Sequence, residues 1–161
     1  MADAGAVRKT IRVEAGATAS LDIPIFSGFV EISAPIVVQV TEGGRVIGTS
    51  DNQIMLTPGP HELEFANKEL NYTSTQSVEV EPGAGHRIQL DPKGAANINA
   101  QPWAEVWIDG VKVGETPLAN LPVTLGVRDI VLRNPQYGER KVTATVVAGT
   151  PATIAVDFTK Q

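Results

Sequence analysis

The side chains that could do chemistry are few: two histidines, His61 and His86, no cysteine, and eighteen Asp and Glu against thirteen Lys and Arg in 161 residues. His61-Glu62-Leu63-Glu64 lacks the second His of a zinc-protease helix, and alternation places it in a strand. His86 stands beside a predicted hairpin turn, so a His-based metal site cannot be assembled from these two. With no Cys, two scattered His, no Gly-x-Ser-x-Gly elbow and no phosphate-binding Gly-rich loop, a nucleophile would have few bases to activate it. The expectation is a non-enzymatic chain without metal or cofactor. Asp51, Asn52 and Asp109 offer oxygen ligands for calcium, yet each adjoins a turn that Asp or Asn favours for its own backbone geometry. Asn71-Tyr72-Thr73 matches the N-glycosylation triplet, a short pattern that fits a loop equally well.

Two groups of side chains point to binding. Trp103, Glu105 and Trp107 share one face of a predicted strand, opposite Ala104, Val106 and Ile108. If the aliphatic face is the core, two indoles flank a carboxylate on the outside, a surface that could stack on sugar rings or on a partner. The alternative is structural, one indole covering the sandwich rim and the other packing on the preceding unit across Pro92-Lys93-Gly94. The second group is acidic. Between Phe26 and Pro92 nine carboxylates face three cations, whereas six of each balance from Gly94 onward. Glu79, Glu81 and Asp91 are therefore expected to form an acidic docking face for a basic partner. Tyr72 and Tyr137 read as plugs at corresponding loop positions.

These residues are carried on strands. Val, Ile and Thr together number 45 against 9 Leu, a β-branched bias that suits pleated strands. An internal repeat sets the organisation. Val13-Glu14-Ala15-Gly16 with Leu21 and Ile23 recurs as Val80-Glu81-Pro82-Gly83 with Ile88 and Leu90, then as Val146-Val147-Ala148-Gly149 with Ile154 and Val156. Gly28, Gly44 and Gly48 likewise recur as Gly94, Gly110 and Gly114. The chain thus divides into residues 1–26, a partial repeat, and two whole units, 27–92 and 93–161. Asp109-Gly110 predicts a two-residue hairpin turn into Val111-Lys112-Val113. Val142, Ala144 and Val146 predict a long hairpin through Ala148-Gly149 to Ile154, Val156 and Phe158, copied in the middle unit around Pro82-Gly83. The fold class expected is all-β: tandem small antiparallel β-sandwich modules preceded by a partial-module β-hairpin.

Pro102-Trp103-Ala104-Glu105-Val106-Trp107-Ile108-Asp109-Gly110, then Val113-Gly114-Glu115-Thr116-Pro117-Leu118, and later Tyr137-Gly138 and Ala148-Gly149, resemble a PEGA domain from about Gly94 to Phe158. The middle unit is a looser match, with Thr41-Glu42-Gly43-Gly44 in place of Ile-Asp-Gly and no Thr-Pro after Gly48. The resemblance implies a small β-module of bacteria or archaea, often in tandem and often attached to envelope proteins or membrane-spanning serine/threonine kinases. It brings no catalytic residue.

Function and location follow as expectations. A net charge of −5 without a basic cluster argues against nucleic acid as a partner, and no apolar run approaches the ~20 residues needed to cross a bilayer. The segment is expected to be soluble, without membrane insertion. A cysteine-free chain is compatible with cytoplasm and envelope alike. The resemblance favours an extracytoplasmic place, in periplasm or cell envelope, within a larger protein. The leading functional expectation is a non-catalytic interaction or spacer module contacting a protein partner or its own parent chain. The alternative is a carbohydrate-binding module using Trp103 and Trp107. Met1-Ala2 ahead of a mid-module sequence reads as a segment taken from a longer chain. Its first hairpin, with Ile11, Val13, Leu21 and Ile23 uncovered, is expected to pair in a homodimer.

Overall fold

The computed structural model describes residues 10–20 and 27–160. As the β-branched composition requires, the elements among these residues are all strands. The middle module holds β1 (Gly28–Ser33), β2 (Gln39–Glu42), β3 (Arg45–Thr49), β4 (Ile54–Leu56), β5 (Gly59–Asn67), β6 (Tyr72–Val80) and β7 (Gly85–Gln89). The last module repeats them as β8 (Lys93–Gln101), β9 (Glu105–Ile108), β10 (Val111–Glu115), β11 (Leu118–Thr124), β12 (Gly126–Asn134), β13 (Gly138–Val146) and β14 (Ala152–Asp157).

Each module closes a three-stranded sheet over a four-stranded one. The orders are β4-β1-β7 over β3-β2-β5-β6, and β11-β8-β14 over β10-β9-β12-β13. Alternate residues point inward from both sheets, so that Val30, Val40, Leu63, Phe65 and Val80 fill one core and Ile98, Val106, Ile130, Leu132 and Val146 the other. The modules are antiparallel apart from one pair each: β1 with β7, and β8 with β14, run parallel.

That parallel pair corrects the predicted C-terminal hairpins. β13 pairs with β12 and β14 with β8, so the two arms joined at Ala148-Gly149 belong to opposite sheets, linked by one isolated bridge, Val147 with Thr150. The connection at Pro82-Gly83 does the same for β6 and β7. Alternation identified the inward residues correctly, but an arch across a sandwich and a hairpin within a sheet share that alternation. The long hairpins are instead β5–β6 and β12–β13.

The first repeat fragment is described over residues 10–20. Its turn is present: Ala17 N–H donates to the Glu14 carbonyl at 3.1 Å, as Ala84 does to Glu81 at 3.2 Å, and Gly16, Gly83 and Gly149 have φ of 82°, 70° and 80°. No strand flanks the turn within residues 10–20, and Ile11 and Val13 are exposed there. The expected strand positions at Val7 to Lys9 and Leu21 to Ile25, including Leu21 and Ile23, lie outside the described residues.

The Asp109-Gly110 turn has φ of 49° and 84°, the two positive values of a type I′ hairpin, and Gly43-Gly44 matches it with 55° and 80°. A side chain at Gly110 would meet nothing within 4 Å. Gly110→Val is therefore expected to cost only the torsional strain, roughly 1–2 kcal/mol, read as a lower melting temperature of the full chain.

Candidate functional site

The two modules meet end to end. The trailing end of the middle module supplies Ile36, Leu70 and Tyr72, which pack on the second core. Ala148 N–H donates to the Leu70 carbonyl at 2.8 Å, and the Asn71 side-chain amide donates to the Ala148 carbonyl at 3.1 Å. A Cβ built on Gly126 would lie 3.7 Å from the Ile36 side chain and one on Gly149 3.6 Å from the Asn71 amide, ordinary contact across the seam. Tyr72 touches both cores, so it is a wedge in this seam rather than the plug the sequence suggested.

The trailing end of the last module is built the same way and stands open. Asn134, buried at the end of β12, donates to the Trp103 carbonyl at 2.7 Å and accepts from the backbone N–H groups of Gln136 (2.8 Å) and Tyr137 (3.2 Å). Asn67 does this in the middle module, donating to the Val37 carbonyl at 2.8 Å and accepting from Leu70 N–H at 3.0 Å. Trp103 thereby stands where Val37 does, and Tyr137 where Leu70 does. Trp103 is 47% and Tyr137 48% exposed, with the Tyr137 ring 6.5 Å from that of Phe158. Sequence reasoning missed the anchoring asparagines, although Asn67 and Asn134 recur at the repeat spacing.

Trp107 and Glu105 do face outward from β9, but they form a closed array. The Arg133 guanidinium lies 4.7 Å from the Trp107 ring centroid, a cation–π contact that covers the indole face. The Trp107 Nε1 is sealed from solvent. Lys112 donates to Glu105 at 2.7 Å and holds its carboxyl below the usual range, while Arg133 also binds Glu139 at 2.8 Å. A shallow hollow of about 360 Å³ lies beside these groups, lined by Glu105, Arg133, Asn134, Pro135, Gly138 and Glu139. The free aromatic surface is thus Trp103 with Tyr137, not Trp103 with Trp107.

The acidic trio is divided. Glu79 and Glu81 edge a hollow with Ala84, Gly85 and His86 at the leading end of the middle module. Asp91 follows β7 at the other end and pairs with Lys93 at 3.0 Å. The three were expected on one hairpin face, whereas Glu79 lies on β6, Glu81 in the arch after it, and Asp91 beyond β7 at the opposite end.

The remaining polar candidates have local partners. Asp109 accepts from Arg128 at 2.9 Å, which lowers its carboxyl pKa, and from Asp129 N–H at 3.1 Å. Asp51 accepts from Thr49 and Asn52 within its own turn. His61 is bound to Glu42, and His86 is exposed on β7. Among the described residues no group of three or more His, Asp or Glu converges on a metal-sized point, and no helix is long and apolar enough to cross a membrane.

Residues 97–161 match the family model for the PEGA domain. The match starts inside β8 and runs through all the later strands of the last module. Searches of curated proteins and of solved structures return no match to the chain. The geometry explains the motif: Thr116 of the Thr-Pro pair closes the sandwich, its hydroxyl accepting from Ala104 N–H at 2.9 Å while its own N–H donates to the Ala104 carbonyl at 2.9 Å. Ser50 makes the same two contacts with Val38, at 3.0 and 2.9 Å. The middle module therefore keeps the clasp of the PEGA module without the Thr-Pro sequence.

Proposed function

We propose that this chain is a non-catalytic pair of stacked β-modules that acts as a spacer and contact surface for a protein partner, within a larger envelope or receptor-kinase-type protein outside the cytoplasm. The PEGA match supports the coarser part of this reading, a generic surface module. The observation that carries the spacer role is the seam, where Leu70 and Asn71 hydrogen-bond to Ala148 and Tyr72 spans both cores. A spacer transmits position only if its modules move together. Backbone 15N relaxation should give both modules one common rotational correlation time. Leu70→Asp, which sets a charge into the seam, should separate the two values, and independent tumbling of the unaltered chain would end the spacer reading.

The glycan alternative is reduced to Trp103, because Arg133 occupies the Trp107 face. Titration with a panel of oligosaccharides while following Trp fluorescence decides it. The expected result is no saturable change. A saturable change lost in Trp103→Ala would replace the protein-contact reading with a sugar-binding one.

A further inference from the structure

The intramolecular seam shows how these modules join, and among the described residues a second half of it stands without a partner at each end. On the last module the equivalent of the seam residue Leu70 is Tyr137, about half exposed, with the half-exposed Trp103 held beside it by Asn134. On the middle module the equivalent of the docked Val147-Ala148-Gly149 arch is Glu81-Pro82-Gly83, also exposed. We propose that a second copy of this chain docks its Glu81-Pro82-Gly83 end onto the Trp103 and Tyr137 end of the first, giving a head-to-tail association.

The two seams differ in two ways, each matched across the contact. Pro82 has no N–H, so it cannot repeat the hydrogen bond that Ala148 gives Leu70. Opposite it, however, aliphatic Leu70 is replaced by aromatic Tyr137 with Trp103 beside it, and aromatic faces take proline rings well. Charge changes on both sides as well. Thr145 and Val147 flank the docked arch in the intramolecular seam, and Glu79 and Glu81 take their places on the free one. At the other end of the modules Ala66, Ser74 and Thr75 give way to Arg133, Arg140 and Lys141, and Thr73 to Glu139, which Arg133 pairs at 2.8 Å; Arg140 and Lys141 are exposed on β13. A neutral seam within the chain becomes an acidic end and a basic end between chains.

Such a contact is heterologous, so it leaves a free end on every new member and grows openly rather than closing as a two-fold dimer. Its size, one module end, places it among weak interfaces, with half-association on the order of 0.1–1 mM. It rests on the stacked-module reading above. A rigid chain that stays monomeric would sink the association alone, and loose modules would sink both.

Sedimentation of the full chain over a concentration series tests it. The average mass should pass beyond a dimer at high concentration, and association should weaken about five-fold or more as the Debye length shrinks from about 30 Å at 0.01 M to about 8 Å at 0.15 M salt. Trp103→Ala should weaken it. Glu81→Lys and Arg140→Glu, both at exposed positions, should each do so, and the chain carrying both should recover. Three outcomes overturn the proposal: a monomer at every concentration in low salt, a closed dimer that never grows, or a double charge swap no better than the single ones. A closed dimer would instead favour pairing through the first repeat fragment.

Discussion

Gly94→Ala is expected to lower the stability of the chain by about 3 kcal/mol, the upper end of the typical range for overpacking, because the site cannot relax. A Cβ built on Gly94 falls 2.6 Å from the Val147 carbonyl oxygen, 2.7 Å from Val146 Cγ1 and 3.0 Å from Leu125 Cδ2. The first of these is backbone, held by the arch whose next residue is docked in the seam, so it has nowhere to swing. The middle module repeats the arrangement, with a Cβ on Gly28 2.7 Å from the Glu81 carbonyl and in collision with Val80. Gly44→Ala supplies the contrast: its φ is 80° and nothing lies within 4 Å, so its cost is torsional, about 1 kcal/mol. Denaturant unfolding of the three variants should rank Gly94→Ala and Gly28→Ala together, well below Gly44→Ala. If Gly94→Ala unfolds with the parent chain, the close approach of β8 to the arch is wrong.

These glycines show what the sequence made legible. Gly28 and Gly94 stood out as a recurring pair, which located the modules, but periodicity does not say what lies over a glycine. Strand faces were legible for a similar reason. Val106 and Ile108 alternate with Glu105 and Trp107 whether the neighbouring strand comes next in the chain or lies across the sandwich. Pairing was therefore hidden: Ile88 and Ile154 were correctly inward, yet their strands pair in parallel with β1 and β8. At the candidate site the sequence left open which indole is exposed, and the half-exposed one is Trp103. Coverage of Trp107 was hidden because Arg133 is 26 residues further on and reaches the indole only through the β9–β12 register, in which Arg133 lies opposite Glu105. The division of Glu79 and Glu81 from Asp91 is the same loss in another form, since a turn motif does not reveal whether the chain stays in its sheet.

Arg128→Met is expected to cost about 1–2 kcal/mol, while at the equivalent place in the middle module stability should depend on pH. Arg128 follows Gly126 at the start of β12 and pins two elements, donating to Asp109 in the β9–β10 turn at 2.9 Å and to the Leu125 carbonyl at 2.8 Å. His61 holds the matching position after Gly59 on β5. Its Nδ1 lies 2.5 Å from a Glu42 carboxylate oxygen beside the β2–β3 turn, and its Nε2 lies 2.7 Å from the Thr57 carbonyl. Both partners accept hydrogen bonds, so the ring fits best as the imidazolium, which donates from both nitrogens. The Glu42 bond raises its pKa above 6.5, against the opposing effect of burial. Of the other charges on packed strands, Arg45 faces Glu42 across the β2–β3 ladder, and Glu62, Glu64 and Glu79 lie on the exposed face of β5 and β6. Because the folded pKa is raised, the contribution is complete below the unfolded value of about 6.5 and is lost as pH climbs through the folded one. The middle module should accordingly melt roughly 2–4 °C lower on the alkaline side of that transition than at pH 6. His61→Arg converts the titrating pin into the permanent one and should abolish the slope, and Glu42→Gln should reduce it. In a His86→Asn background the single remaining imidazole can be followed by NMR. A ring that titrates at or below 6.5, or a pH slope that survives His61→Arg, would show that the two modules are not pinned alike.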